Sequence, residues 1–177
     1  MKLIAVVAVA SMLLANAPVP SSPDLGQAEG RCRPGEAGPA FLVDVVGLKD
    51  RRGLLKLEVY PSNDDDFLQD DNILINAGRV FRRFEIAVPA TPQVSLCIRV
   101  PAAEAYSVSL LHDRDSDHKF SWSRDGVGFA GNPRLGWSKP KAAAARTIVG
   151  NGPTRITIIM NYRRGLGMSP LPRGTSR

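Results

Sequence analysis

Residues 53–60, Gly-Leu-Leu-Lys-Leu-Glu-Val-Tyr, decide the class of fold. In this stretch apolar side chains alternate with polar or amphipathic ones. Successive side chains of a β-strand point to opposite faces of its sheet, so the alternation predicts a strand with one buried face. The preceding Asp50-Arg-Arg-Gly53 predicts a turn, and Phe41-Leu-Val-Asp-Val-Val-Gly47 predicts the partner strand of a hairpin.

Further strands follow the hairpin, at residues 83–88, 94–100, 106–110, 147–149 and 156–160. In the first of these, the alternation places Arg83 and Glu85 on the solvent side. About seven short strands separated by turn residues predict an all-β fold, a single β-sandwich. The helix candidates, Asp66–Asp71 and Ala142–Ala145, are too short to form a layer of the fold.

The chain of 177 residues is long enough for one domain with flanking segments. We place the β-sandwich at residues 40–165. Residues 18–39, rich in Pro, Gly and Ser, predict an extended lead-in that only Cys32 ties down. Residues 166–177 predict a flexible basic tail, and residues 111–141 form a long connection, which is a common place for function.

The first 17 residues have the pattern of a signal peptide. Lys2 precedes an apolar run that ends at Leu14, and Ala15-Asn-Ala17 supplies small residues at a cleavage site. A transmembrane anchor is the alternative, but the run falls short of the about 20 residues needed to span a membrane. We therefore expect a periplasmic or secreted protein that does not span the membrane.

The chain carries a formal net charge of +6. An exported protein meets anionic lipid head groups and acidic polysaccharides, so we expect no nucleic-acid partner. The alternative is that the positive charge serves only solubility.

The two cysteines, Cys32 and Cys97, predict a disulfide, because two thiols in an oxidising compartment usually pair. A catalytic thiol or a metal ligand is the competing interpretation. Cys32 lies in a loop-like stretch and Cys97 in an apolar strand, which favours the disulfide.

The long connection begins with an acidic motif that contains both histidines of the chain, His112-Asp-Arg-Asp-Ser-Asp-His118. Asp113, Asp115 and Asp117 stand at alternate positions, where their oxygens could surround a calcium ion. A solvated turn is the alternative. With His112 and His118, the same aspartates could instead form a transition-metal site.

Four aromatic residues follow in the same connection: Phe120, Trp122, Phe129 and Trp137. Exposed aromatic rings could stack on a sugar ring or bind an apolar ligand. Alternatively, they fold inward and give the connection a small core of its own.

Three stretches resemble the bacterial family called domain of unknown function 2141: residues 41–48, Tyr106-Ser-Val-Ser-Leu-Leu-His-Asp113, and Asp125-Gly-Val-Gly-Phe-Ala-Gly-Asn-Pro133. The likeness covers roughly residues 32 to 165. It implies an exported β-sandwich of the transthyretin-like or immunoglobulin-like type, and it adds Asn132 to the candidate binding residues. It supplies no catalytic residue. In many relatives the turn after His-Asp looks like Asn-Gly-Asn-Gly. Here the turn is Asp115-Ser-Asp-His118, which lacks glycine, so a positive φ at His118 is harder to adopt.

We expect a non-catalytic module that binds an envelope ligand or a partner protein through residues 112–137, with calcium as the only candidate cofactor. The first alternative is a metal-dependent hydrolase that uses His112, Asp113, Asp115, Asp117 and His118. The second is a structural or assembly protein whose strand edges pair with another protein.

Overall fold

A computed structural model describes residues 17–172 of the chain. Most of the predicted signal peptide, residues 1–16, and the end of the predicted tail, residues 173–177, lie outside the described residues. Within the described range, no helix is both long enough and apolar enough to cross a membrane.

Strands dominate the described residues, as the alternation predicts. They are β1 (Ala40–Val46), β2 (Leu54–Pro61), β3 (Arg82–Ala87), β4 (Val94–Arg99), β5 (Ala105–Asp113), β6 (Gly126–Phe129), β7 (Arg146–Ile148), β8 (Pro153–Ile159), β9 (Asn161–Arg164) and β10 (Gly167–Pro170). Two short helices, α1 (Gln27–Gly30) and α2 (Asp71–Asn76), and a 3-10 turn over Ala142–Ala145 complete the structure. The all-β class is confirmed.

The strands form two sheets. The small sheet has the order β4-β1-β8, in which β1 runs antiparallel to β4 and parallel to β8. The large sheet has the order β10-β9-β6-β5-β2-β3, and β7 pairs with β5. The predicted hairpin is therefore wrong, because β1 and β2 lie in different sheets and do not pair. Alternation marks the faces of each strand but does not say which strands pair. Met160 alone separates β8 from β9, so the chain passes from one sheet to the other there.

The main hydrophobic core lies between the sheets, as expected for a sandwich. It contains the inward positions of the long strands, among them Phe41, Val43, Leu55, Leu57, Val59, Tyr106, Val108, Leu110 and Ile158. These are the positions that the alternation assigns to the buried face.

The opposite face of the large sheet is also covered, contrary to the sequence interpretation. A second apolar cluster packs on it, made of Tyr60, Phe67, Leu74, Phe81, Phe129, Ala142 and Ala145. Arg83, expected on the solvent side, is only 7% exposed. Alternation separates the two faces of a strand but carries no information about which segments later fold over each face.

The alternation does not reveal the four-residue strands β6, β9 and β10, because stretches this short show little period. One of them, β6, lies inside the predicted connection 111–141. Its first residue must be glycine, because a Cβ on Gly126 would lie 2.2 Å from Cε1 of Tyr162. The close approach of that ring marks the pairing of β6 with β9.

The predicted helix at Asp66–Asp71 is wrong. Helix α2 begins at Asp71, and Leu68 has a φ of 62°, which cannot continue a right-handed helix. Upstream, the side chain of Asn63 accepts a hydrogen bond from the Asp66 amide at 2.9 Å and forms a turn instead.

The segments flanking the domain are more ordered than predicted. Residues 18–26, which we call the N-terminal strap, are held by more than Cys32: Val19 and Asn76 exchange two hydrogen bonds, of 2.8 and 2.9 Å. At the other end, β10 pairs with β9 and buries Met168, so residues 167–170 are not a flexible tail. The expected disulfide between Cys32 and Cys97 is confirmed.

Removing the disulfide should lower stability substantially. It links residues 65 apart, and closing a loop of that length stabilises the folded state by about 4 kcal/mol in the chain-entropy model. Urea unfolding of a Cys32→Ala/Cys97→Ala variant should show a loss of this order. An unchanged midpoint would mean that the strap and the isolated bridge between Arg31 and Ile98 hold the segment without it.

Candidate ligand-binding site

A cavity of about 780 Å³ lies over the outer face of the large sheet. Its floor comes from β2, β3, β5 and β6, and three segments wall it: the N-terminal strap, residues 68–71 and residues 117–140. The volume falls within the range of small-molecule sites, about 300–1,000 Å³. Segments distant in sequence therefore create a concave surface over the outer face of the sheet. The alternation of side chains does not predict this cavity.

Aromatic side chains form one wall of the cavity. Trp122 and Trp137 are stacked, with ring centroids 6.1 Å apart and planes inclined by 16°. Trp137 is 77% exposed and Phe120 is 49% exposed, so both offer ring surface to a ligand. Phe129 is buried at the floor, in edge contact with Phe67. Phe129 thus folds inward, whereas Phe120 and Trp137 stay exposed, and ligand binding by the exposed rings stays a prediction.

Arg83 lies at the centre of a buried ionic group on the floor. Its Nε and Nη2 lie 2.9 and 2.8 Å from Oε1 of Glu58, and its Nη1 lies 3.0 Å from Oδ2 of Asp71. Nη1 also donates to the carbonyl of Ser22 in the N-terminal strap, at 2.9 Å. Glu58 accepts a further hydrogen bond, of 2.7 Å, from the hydroxyl of Tyr60. Every charge in the group has a partner, as burial requires.

The electrostatics of this group follow from burial and charge together. Burial alone would lower the pKa of Arg83, but the carboxylates of Glu58 and Asp71 raise it. Burial works to raise the pKa of Asp71, yet hydrogen bonds from Ser21 and the Asn72 amide, with the charge of Arg83, lower it. Burial raises the pKa of Tyr60 well above its usual value. Arg83 and Asp71 therefore stay ionised near the neutral phenol of Tyr60.

Lys56, Glu85 and His118 form a second polar group on the floor. Nζ of Lys56 donates to the carbonyl of His118 at 3.0 Å, and Nδ1 of His118 lies 3.2 Å from the carboxylate of Glu85. The register explains both groups, because β2 and β3 place Glu58 opposite Arg83 and Lys56 opposite Glu85. Oppositely charged cross-strand neighbours stabilise an antiparallel pair.

The charges that line the cavity nearly balance. They are four cations, Lys56, Arg83, Lys119 and Lys139, and five carboxylates, Glu58, Asp70, Asp71, Glu85 and Asp117. The two signs are interspersed, so the cavity combines hydrogen-bonding groups with a near-neutral total charge. This arrangement favours an uncharged polar ligand over a strongly charged one.

Residues 43–157 match the sequence model of the DUF2141 family, which is described as an uncharacterized protein conserved in bacteria. The chain belongs to the DUF2141 family. The match covers part of β1, strands β2 to β7, most of β8 and the whole connection that walls the cavity. No curated protein and no solved structure matches the chain.

The structure shows what the DUF2141-like motif at Asn132 does. The side chain of Asn132 donates to the carbonyl of Thr157 at 2.9 Å and accepts from the amide of Ile159 at 2.7 Å. It thereby pairs with the outer edge of β8 as a backbone strand would. Asn132 does not line the cavity, unlike the other four predicted binding residues, Phe120, Trp122, Phe129 and Trp137.

The acidic motif of this DUF2141 member folds into a tight turn. Ser116 and His118 have φ values of 59° and 61°, so the chain adopts the left-handed backbone although it lacks glycine at both positions. Such a conformation costs on the order of 1–2 kcal/mol for a residue with a Cβ. Asp113 offsets the cost, because its carboxylate accepts hydrogen bonds from the amides of Asp117 and His118.

The three predicted metal ligands come together. Asp113, Asp115 and Asp117 each offer one carboxylate oxygen, and these oxygens lie within 4.8 Å of one another. Protein groups already contact all three: Asp115 pairs with Arg124, and Asp117 accepts a hydrogen bond from the Lys119 amide. A calcium ion would have to share these carboxylates with Arg124 and the backbone.

A transition-metal site would need His112 and His118 to join this cluster, but neither histidine belongs to it. His112 is buried, and its ring nitrogens lie 2.6 Å from the hydroxyl of Tyr162 and 2.9 Å from the carbonyl of Arg52. The ring of His118 contacts Glu85 across the cavity floor.

The alternation of side chains does not reveal Glu58, Asp71 and Arg83 as the central polar residues of the cavity. The available signal was Lys-x-Glu on one strand and Arg-x-Glu on another. Antiparallel pairing in the right register makes opposite charges neighbours, but the register cannot be read from the alternation alone.

Breaking the ionic group should be costly. Arg83→Met leaves Glu58 and Asp71 buried without their counter-ion, which should lower the free energy of unfolding by about 3–5 kcal/mol. Arg79→Met is the matched control, because Arg79 pairs with Asp66 at the surface and should lose less than about 1 kcal/mol. Urea unfolding compares the two, and equal losses would contradict the buried role of Arg83.

The stability of the fold should depend on the protonation of His112. Burial lowers its pKa below the usual 6.5, although the carbonyl of Arg52 and the charge of Asp50 act in the opposite direction. The unfolded chain then binds a proton more readily, so the free energy of unfolding should fall as the pH drops below 6.5, by at most about 1.4 kcal/mol per pH unit.

Urea unfolding at pH values from 7.5 to 5.5 checks this dependence. His112→Gln should flatten it over this range, whereas His118→Gln retains His112 and should retain the slope. A wild-type chain with constant stability in this range would refute the assignment.

Proposed function

We propose that this protein is a non-catalytic module of the bacterial envelope or of the secreted fraction that binds a neutral saccharide in the cavity. One observation carries the proposal: exposed aromatic rings and polar groups whose charges nearly balance line the same cavity. Exported localisation is supported by the signal-peptide pattern and by the disulfide, since such bridges persist in oxidising compartments.

A saccharide satisfies both sides of the cavity. The C–H face of a sugar ring can pack on an indole or phenyl ring, which supplies large contact area at small entropic cost. Its hydroxyl groups can both donate and accept hydrogen bonds, as a floor with ammonium and carboxylate groups requires. A purely apolar ligand would instead strip water from Lys56 and His118 without replacing their hydrogen bonds.

A binding role without catalysis is supported by how the floor carboxylates are engaged. Glu58 contacts Arg83 and Tyr60, Asp71 contacts Arg83, and Glu85 contacts His118. A general acid or base must be able to exchange its proton with a substrate. Carboxylates held by these partners are better suited to orienting hydroxyl groups than to exchanging protons.

Calcium binding by Asp113, Asp115 and Asp117 stays a prediction. Thermal unfolding with and without calcium tests it, and loss of any stabilisation in Asp115→Asn would locate the ion.

Saccharide binding should depend on the exposed indole. Neutral oligosaccharides titrated into the protein should change its tryptophan fluorescence, and Trp137→Ala should weaken binding by roughly tenfold while leaving the thermal midpoint unchanged. Ile148→Ala is the matched control, since Ile148 is exposed but outside the cavity. It should bind like the wild type.

Three outcomes would overturn the proposal. Binding of apolar fluorescent dyes with no response to any saccharide would indicate a lipid-like ligand. Release of new reducing ends from the oligosaccharides would indicate an enzyme. Equal losses in Trp137→Ala and Ile148→Ala would place the ligand away from the aromatic wall.

A further inference from the structure

The end of the sandwich where β1 and β9 terminate carries two adjacent turns. Strand β8 runs parallel to β1 and leads directly into β9, so the turn 47–53 and the turn 164–167 emerge at the same end. Contacts join them: the hydroxyl of Tyr162 accepts a hydrogen bond from the Lys49 amide at 3.0 Å, and Nζ of Lys49 lies 6.0 Å from the centre of the Tyr162 ring. We call these two turns, together with Arg163 beside the second, the basic end.

Four cations of the basic end are exposed: Lys49, Arg52, Arg163 and Arg164. Among residues 17–172, no carboxylate forms an ion pair with any of them. The two arginines instead donate to backbone carbonyls of their own hairpin, those of Gly165 and Pro170. Neither bond involves a carboxylate, so both guanidinium groups keep an uncompensated charge.

The neighbouring carboxylates are engaged elsewhere. Asp50 pairs with Arg114, and Asp115 pairs with Arg124. Asp125 is buried and accepts hydrogen bonds from the amides of Arg114 and Ser121. The basic end therefore presents net positive charge, in a chain whose formal net charge is +6.

An apolar side chain stands at the tip among these cations. Leu166 follows the two arginines and is 76% exposed. At the end of β1, Val46 is also exposed. The hairpin tip therefore combines an exposed leucine with uncompensated arginines. Basic surfaces with exposed apolar side chains bind at the boundary between lipid head groups and acyl chains.

We propose that the basic end docks on an anionic lipid membrane. Lys49, Arg52, Arg163 and Arg164 contact lipid phosphate groups, and Leu166 inserts below them. Arginine suits this role because its planar guanidinium binds phosphate oxygens in pairs. An acidic polysaccharide would match the charge equally well but would leave Leu166 in water, so the leucine decides for a membrane. This docking is independent of what occupies the cavity.

Vesicle co-sedimentation of the mature chain tests the docking. The protein should pellet at low salt with vesicles of phosphatidylcholine and phosphatidylglycerol, and stay in solution with phosphatidylcholine alone. Arg164→Glu should reduce partitioning by roughly tenfold or more, because each cation near an anionic surface contributes several-fold. Leu166→Ser should reduce binding at every salt concentration.

The control matches the charge change at another place. Arg146→Glu alters net charge as much as Arg164→Glu does, but Arg146 is exposed in β7, which pairs with β5 near its start, away from the basic end. It should change partitioning less than twofold. Equal losses in both variants, unaltered binding of Leu166→Ser, or no preference for anionic vesicles would each overturn the proposal.

Discussion

The guanidinium of Arg83 bonds to three parts of the chain, and strand pairing does not join all three. It bonds to Glu58 on the neighbouring strand, to Asp71 at the start of α2 and to the carbonyl of Ser22 in the N-terminal strap. A buried arginine is tolerated only when its donors find acceptors, so each of these segments must be in place for the others to be stable. This constraint acts together with the second apolar cluster to fix the strap and the start of α2 as walls of the cavity.

How much of this could be predicted depends on the range of each interaction. Strands β2 and β5 are long enough for alternation to appear in the sequence, and their inward residues form the core as predicted. The cavity depends on contacts between distant segments, such as the strap with β3, and on the register that puts Glu58 opposite Arg83. No local pattern encodes either of these.

The aromatic residues show the same limit within a single connection. Phe129 belongs to β6 and is fixed by the sheet, so it is buried. Phe120 and Trp137 lie in segments without regular structure. The composition of such a segment can suggest a functional role, but it does not show whether a side chain points inward or into solvent. Asn132 was selected by family resemblance alone, and its amide pairs with a strand edge, a role that residue type cannot distinguish from ligand binding.

The loop from Asp113 to Asp125 connects the two surfaces that the structure singles out. On one side His118 and Lys119 line the cavity, and on the other Asp115 holds Arg124 and Asp125 holds Arg114 close to the basic end. Its hydrogen bonds to Asp113 keep it compact despite two left-handed residues. A compact loop of this kind limits how far the cavity and the basic end can move relative to each other.

The parallel pairing of β1 with β8 has a consequence for the order of folding. β1 is the first strand to be synthesised and β8 among the last, and pairing strands so distant in the chain carries a large loop-closure cost. Until β8 arrives, one edge of β1 is open to any extended chain, including a second copy. Once β8 has paired with β1, the side chain of Asn132 covers part of the outer edge of β8. The strand made first is therefore among the last to be fully paired, and the half-folded chain is most prone to misassociation in that interval.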